Sequence, residues 1–226
     1  MHRRSLRRLA WLRVNRCSVL LAALCVMILL APAMGGDRLG TTLLALATAA
    51  VLVVGVWALR AHHRIFWAVA LLALLSASAI VANRFGYPAL RPISLTVTAA
   101  FVSAVTIALL IYVLDRRPIT TDKVFGAVAA YVLIAFSFAS IFSLVQYLQP
   151  GAFYVNPVNE PDGHLGWSSM MYFSFTLLTS TGFGEITPVT HMARSVIVLE
   201  QVLGVMYVAF LVARLANLWG RGSPEP

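Results

Sequence analysis

The sequence predicts an all-α integral membrane protein. It has six transmembrane helices, with a short re-entrant helix and a polar loop between helices 5 and 6. Three observations carry this expectation. Charged residues make up 11% of the chain, hydrophobic residues 60%, and the mean hydropathy is +0.85. Soluble domains carry about a quarter charged residues. Six apolar runs are each long enough to cross a core of about 30 Å at about 1.5 Å per residue. Before the last run, a short apolar segment leads into hydroxyls and alternating glycines.

Residues 1–16 form a basic N-terminus with Arg3, Arg4, Arg7, Arg8, Arg13 and Arg16. Such a block beside an apolar run is a topogenic anchor near anionic lipid, so no nucleic-acid partner is expected. The first run is 17–34. Its basic start, apolar middle and Ala31-Pro32-Ala33 also fit a secretory signal with a cleavage site. The long leader and the further spans favour an uncleaved helix. The next runs are 41–59, 65–82 and 94–114, and residues 17–120 are read as a four-helix transmembrane region. Cys17 and Cys25 lie about 12 Å apart along one helix, too far for a disulfide. His62, His63, His164 and His191 form no metal-ligand pattern, and no nucleophile–base set suggests an enzyme.

Loop charge sets the orientation. Arg60, His62, His63 and Arg64 join spans two and three, and Arg116, Arg117 and Lys123 join spans four and five. With the arginine leader, they place both termini in the cytoplasm of a multi-pass protein of the cell membrane. Arg38, Arg84 and Arg91 then face outside, against the trend.

Residues 121–226 form the second unit. The fifth span is 124–148, and 149–166 is a solvated outer loop with Glu160 and Asp162. Trp167–Leu178 reads as a helix about half the length needed to span a bilayer. The segment Thr179-Ser180-Thr181-Gly182-Phe183-Gly184-Glu185 follows, and Pro188 opens the sixth span, 188–219. A run of hydroxyls, glycines and an acid leaves unsatisfied backbone groups in hydrocarbon, so it must be buried in protein or line water. A dehydrated cation needs several oxygen ligands at once, and rings of backbone carbonyls supply them. Successive carbonyls point one way only if the backbone alternates in hand, and Gly182 and Gly184 supply the left-handed positions. Thr181 and Phe183 are expected to turn away and pack on the short helix. That helix would aim its negative C-terminal end at a cavity below the loop.

Ser180-Thr181-Gly182-Phe183-Gly184-Glu185 resembles the potassium-channel signature Thr-Val-Gly-Tyr-Gly-Asp. The likeness continues through Ile186, Thr187, Pro188, Val189, Thr190 and Arg194, which resemble the segment after the filter in the bacterial potassium channel family. It covers roughly the last hundred residues. The resemblance implies a tetrameric pore domain over 121–226: helix, turret, pore helix, filter and inner helix. It implies K⁺ as the permeant ion and no cofactor. Thr179, Ser180, Thr181, Gly182, Phe183 and Gly184 would coordinate it. Glu185 would anchor the filter from behind through Trp167 or Tyr172. Gly204 falls where related inner helices carry a hinge glycine; bending and close helix packing both suit it. Val205, Val208 and Val212 share a helix face and would line the cavity. A non-selective cation channel, and a non-conducting membrane subunit with the same fold, stand beside the potassium reading.

Glu200 lies roughly 18 Å along the last span. A carboxylate there is costly unless protonated or paired, and Thr176 and Thr179 are the hydroxyls expected to face it.

The fourth span, 94–114, contains no Arg, Lys, Asp or Glu; its polar residues are hydroxyls such as Thr96, Thr98, Ser103 and Thr106. One elementary charge moved across the field is worth about 2.3 kcal/mol per 100 mV, and this span offers none. Opening is therefore expected to depend only weakly on voltage. A steep conductance–voltage curve in bilayer recordings would contradict that.

Overall fold

The computed structural model describes residues 16–30, 90–115, 120–158, 163 and 165–220. Spans two and three, the leader before Arg16, the loop histidines, Glu160 and Asp162 lie outside the described residues. Among the described residues, five helices and two short strands occur in the order α1 (Arg16–Leu30), α2 (Arg91–Leu114), α3 (Thr121–Leu148), β1 (Phe153–Val155), α4 (Trp167–Leu178), β2 (Ile186–Pro188) and α5 (His191–Gly220). Among the described residues, three helices are long and apolar enough to cross a membrane: Arg91–Leu114, Thr121–Leu148 and His191–Arg214.

The helix ends follow local chemistry. Pro92 sits in the first turn of α2, where its missing N–H costs nothing. The Thr120 hydroxyl accepts from the Lys123 N–H and caps α3, so this helix begins ahead of the expected 124. Thr190 does the same for α5 by accepting from the Ala193 N–H. Pro188 therefore does not open the last helix. It ends β2, opposite Phe153.

The small antiparallel sheet corrects the expectation of a purely α-helical chain. Phe153, Tyr154 and Val155 pair with Pro188, Thr187 and Ile186. Residues 149–166 were expected to be solvated, yet Ala152, Phe153 and Val155 are buried. The cause is an aromatic cluster. Phe142 of α3, Phe153 of β1 and Phe173 of α4 stand 5.4 to 5.6 Å apart, ring to ring. This spacing is typical of favourable edge-to-face and tilted pairs. The Gln146 side-chain oxygen also accepts from the Phe153 N–H.

Helix α3 is the hub, touching each of the other four helices. Its most apolar stretch is 61% buried, against 17% for α5. Thr106 of α2 and Ser137 of α3 share a buried hydrogen bond of 2.8 Å. At the end where α3 begins, Asp122 accepts from the Cys17 N–H at 2.9 Å and from the Tyr112 hydroxyl at 3.0 Å. A carboxylate suits the N-terminus of α1, where backbone N–H groups lack partners. The last carbonyls of α2 are met in turn by Lys123, which donates to Asp115 O, and by Arg214, which donates to Val113 O and Asp115 O. This polar knot ties α1, α2, α3 and α5 together. Arg91, at the far end of α2, lies over the Tyr147 ring at 5.8 Å.

Phe142 has no exposed surface and joins α3 to both β1 and α4. Phe142→Ala should cost about 3–5 kcal/mol of stability. Thermal unfolding of the purified protein in detergent reads this as a lowered midpoint. An unchanged midpoint would mean the cluster does not hold β1 in place.

Candidate functional site

Helix α4 ends in a turn that shapes everything after it. The Ser180 N–H donates to Leu177 O at 2.9 Å, and the Thr181 N–H donates to Thr176 O at 2.8 Å. This is the Schellman pattern, which places its first residue beyond the cap in the left-handed region. That residue is Ser180, with φ 57°. Glycine usually takes such a position, and the sequence reading had assigned the left-handed hand only to Gly182 and Gly184. Both glycines are left-handed too, at φ 57° and 81°. Ser180, Gly182 and Gly184 therefore alternate in hand with Thr181 and Phe183.

The terminal carbonyls of α4 are occupied within the chain. Phe175 O accepts from the N–H and the hydroxyl of Thr179. Thr176 O accepts from the Thr181 and Gly182 N–H groups, and Leu177 O from Ser180. Leu178 O accepts from the Tyr131 hydroxyl at 3.2 Å. These are the four carbonyls a helix normally leaves open. Thr179 to Gly184 are all exposed. Among the described residues, no donor reaches their carbonyl oxygens.

The side chains on this strand divide. The Thr181 hydroxyl shares a 2.8 Å hydrogen bond with that of Thr179. The Phe183 ring stacks on Tyr172 of α4, with planes within 1° and centroids 6.3 Å apart. The Tyr172 side chain also lies near the Glu185 carboxylate. Of the two residues expected beside Glu185, Tyr172 is the one that lies near it. Trp167 packs instead on Phe136 of α3, at 5.7 Å. Beyond the glycines, the Glu185 carbonyl accepts from the Asn156 N–H, where β1 and β2 meet.

Behind the strand, α3, α4 and α5 meet at two levels, and α3 and α5 meet at a third. At the first, Ser174 of α4 bonds to Ala135 O of α3 and to Glu200 of α5. At the second, Leu178 O receives Tyr131 of α3 and lies against Gly204 of α5. At the third, the Tyr207 hydroxyl donates to Ala127 O at 2.7 Å, and its ring stacks on Tyr131. Residues 127, 131 and 135 are one turn apart on α3, as are 174 and 178 on α4, and 200 and 204 on α5. Glu200 therefore meets Ser174, and not Thr176 or Thr179. Thr176 donates to Phe173 O, and Thr179 to Phe175 O.

Helix α5 buries one stripe: Ala193, Ile197, Glu200, Gly204 and Tyr207. Val205, Val208 and Val212 lie off it and are exposed. A Cβ on Gly204 would stand 2.6 Å from Leu178 O and 2.9 Å from the Leu178 side chain. Of the two roles open to Gly204 from sequence, this geometry is that of close approach. Gly182 differs: a Cβ there meets nothing within 4 Å, so only the backbone hand demands glycine.

The family model described as an ion channel matches residues 131–220. The match begins at Tyr131, in the second of these levels, and runs through α4 and the glycine strand to the end of α5. No curated protein matches the chain.

Gly204→Ala should force α5 away from the end of α4, despite a helix propensity better by about 1 kcal/mol. The expected outcome is a lower thermal midpoint in detergent. A raised midpoint would show that propensity outweighs the contact.

Proposed function

We propose that the chain is a potassium-selective channel subunit. Four copies enclose an axis lined by Thr179, Ser180, Thr181, Gly182, Phe183 and Gly184, and K⁺ passes down it passively. In this reading α4 is the re-entrant pore helix, α3 the outer helix and α5 the inner helix. The chain sits in the cell membrane among lipid, with both termini cytoplasmic, and it carries out no covalent chemistry.

One observation carries the reading. Left-handed φ angles recur at Ser180, Gly182 and Gly184, on an exposed strand whose carbonyls accept from nothing among the described residues. Alternating hand turns successive carbonyls to one side, where they can replace the hydration shell of a cation. One chain supplies one such strand, and a ring of oxygens requires copies around an axis. The exposure of the strand, of Phe183 and of most of α5 supports that assembly. Polar backbone of this kind cannot face lipid. The Phe183 ring stacked on Tyr172 would brace the strand from the side away from the axis. Val205, Val208 and Val212 would line the cavity below, with an apolar wall that can close by dewetting.

Recordings from the purified protein in bilayers with asymmetric potassium and sodium test this reading. The reversal potential should favour potassium, and crosslinking in mild detergent should give a ladder ending at four. Gly182→Ala should abolish conduction without preventing assembly. The left-handed region costs a residue with a Cβ roughly 1–2 kcal/mol, paid here in each of the four copies. Equal permeability to both ions would favour a non-selective cation channel. Absence of flux would favour a non-conducting subunit, and normal selective current through Gly182→Ala would mean this strand is not the filter.

A further inference from the structure

The first level of contact behind the strand holds a carboxyl group whose hydrogen atoms can be counted. Glu200 has no exposed surface. Its Oε1 is in short hydrogen-bond contact with the Ser174 hydroxyl, and the same hydroxyl lies 2.7 Å from Ala135 O. Two hydrogen bonds require two hydrogens. A serine hydroxyl carries one, and a backbone carbonyl carries none. If Ser174 points its hydrogen at Ala135 O, it offers Glu200 only a lone pair. If it points it at Glu200, two oxygen lone pairs confront one another 2.7 Å apart at Ala135. Both contacts are bonds only when Glu200 brings the second hydrogen.

The surroundings agree. Glu200 Oε2 has no hydrogen-bond partner. Among the described residues, no lysine, arginine or histidine pairs with the carboxyl. The nearby hydroxyl from α3, Tyr131, is spent on Leu178 O. An ionised carboxylate shut away from water needs a counter-charge or several donors, and here it would have neither.

We propose that Glu200 is held as the neutral acid and is a positioning residue for the glycine strand. Its O–H donates to Ser174, Ser174 donates to Ala135 O, and this chain of two bonds sets the height of α4 against α5 and α3. The strand inherits that height, because the Thr181 and Gly182 N–H groups hang from Thr176 O, two residues beyond Ser174. Four neutral acids in the assembly would add no negative charge behind the ion path, so Glu200 serves by geometry and not by attracting cations. The role in conduction rests on the channel reading; the protonation does not.

Infrared spectroscopy of the purified protein at neutral pH tests the proton directly. The parent should show the C=O stretch of a protonated carboxyl, and Glu200→Gln should lose it. Persistence of that band in Glu200→Gln, or its absence from the parent, overturns the assignment whatever the conduction. In bilayer recordings Glu200→Gln, which keeps a neutral donor to Ser174, should match the parent within about twofold in open probability. Glu200→Ala, which keeps neutrality but loses the donor, should fall by about tenfold, as expected for one buried hydrogen bond. Loss of function in Glu200→Gln equal to that in Glu200→Ala would overturn the positioning role. If Glu200→Ala fails to assemble, the Gln variant and the infrared band still decide. A parent protein that shows the band but passes no ions would defeat the channel reading and leave the neutral acid standing.

Discussion

The arrangement depends on how α4 ends. A helix leaves four carbonyls without partners, and at the end of α4 each of them finds a donor within the chain. Three are satisfied by the residues that follow and one by Tyr131, reaching across from α3. The turn that satisfies them forces Ser180 into the left-handed region, and the two glycines repeat that hand at every second residue. The carbonyls of the strand itself are left over. Among the described residues these acceptors meet no donor, and in the proposed assembly a dehydrated cation in a ring of such strands would meet them.

The helices behind the strand are arranged to keep α4 still. Three levels of polar contact, one turn apart, run along α3 and tie it to α4 and α5. The first level joins a hydroxyl to an acid, and the second and third each set a tyrosine hydroxyl on a backbone carbonyl, the second beside a glycine. The buried stripe of α5 follows from this, since it presents a glycine where backbones come closest and polar groups where partners await. Most of the remaining described surface of α5 is apolar and uncovered in the single chain, including Val198, Leu199, Val202, Leu203, Val205 and Met206.

Midway along α4, the Phe142, Phe153 and Phe173 rings pack with the two-stranded sheet that follows the strand. The glycine strand is thus fixed at both ends, by the α4 turn at one and by β2 at the other. Tyr172 braces it between, through Phe183.

Much of this was legible in the residues. The bounds of α4 follow from a short apolar run, and the alternating glycines announce the alternating backbone hand, because local sterics act on neighbouring residues alone. Composition and run length sufficed for three membrane-length helices. Contacts between distant residues were not legible. A three-residue strand at Phe153 has too short a period to read, and its partner lies beyond α4. The left-handed Ser180 carries no glycine to betray it. The choice of Ser174 over Thr176 or Thr179 as the partner of Glu200, and the close approach of Gly204 to Leu178, depend on helix rotation and separation. Those are decided by side chains meeting across three helices. Sequence spacing along one helix determines which residues share a face, and only packing determines what that face meets.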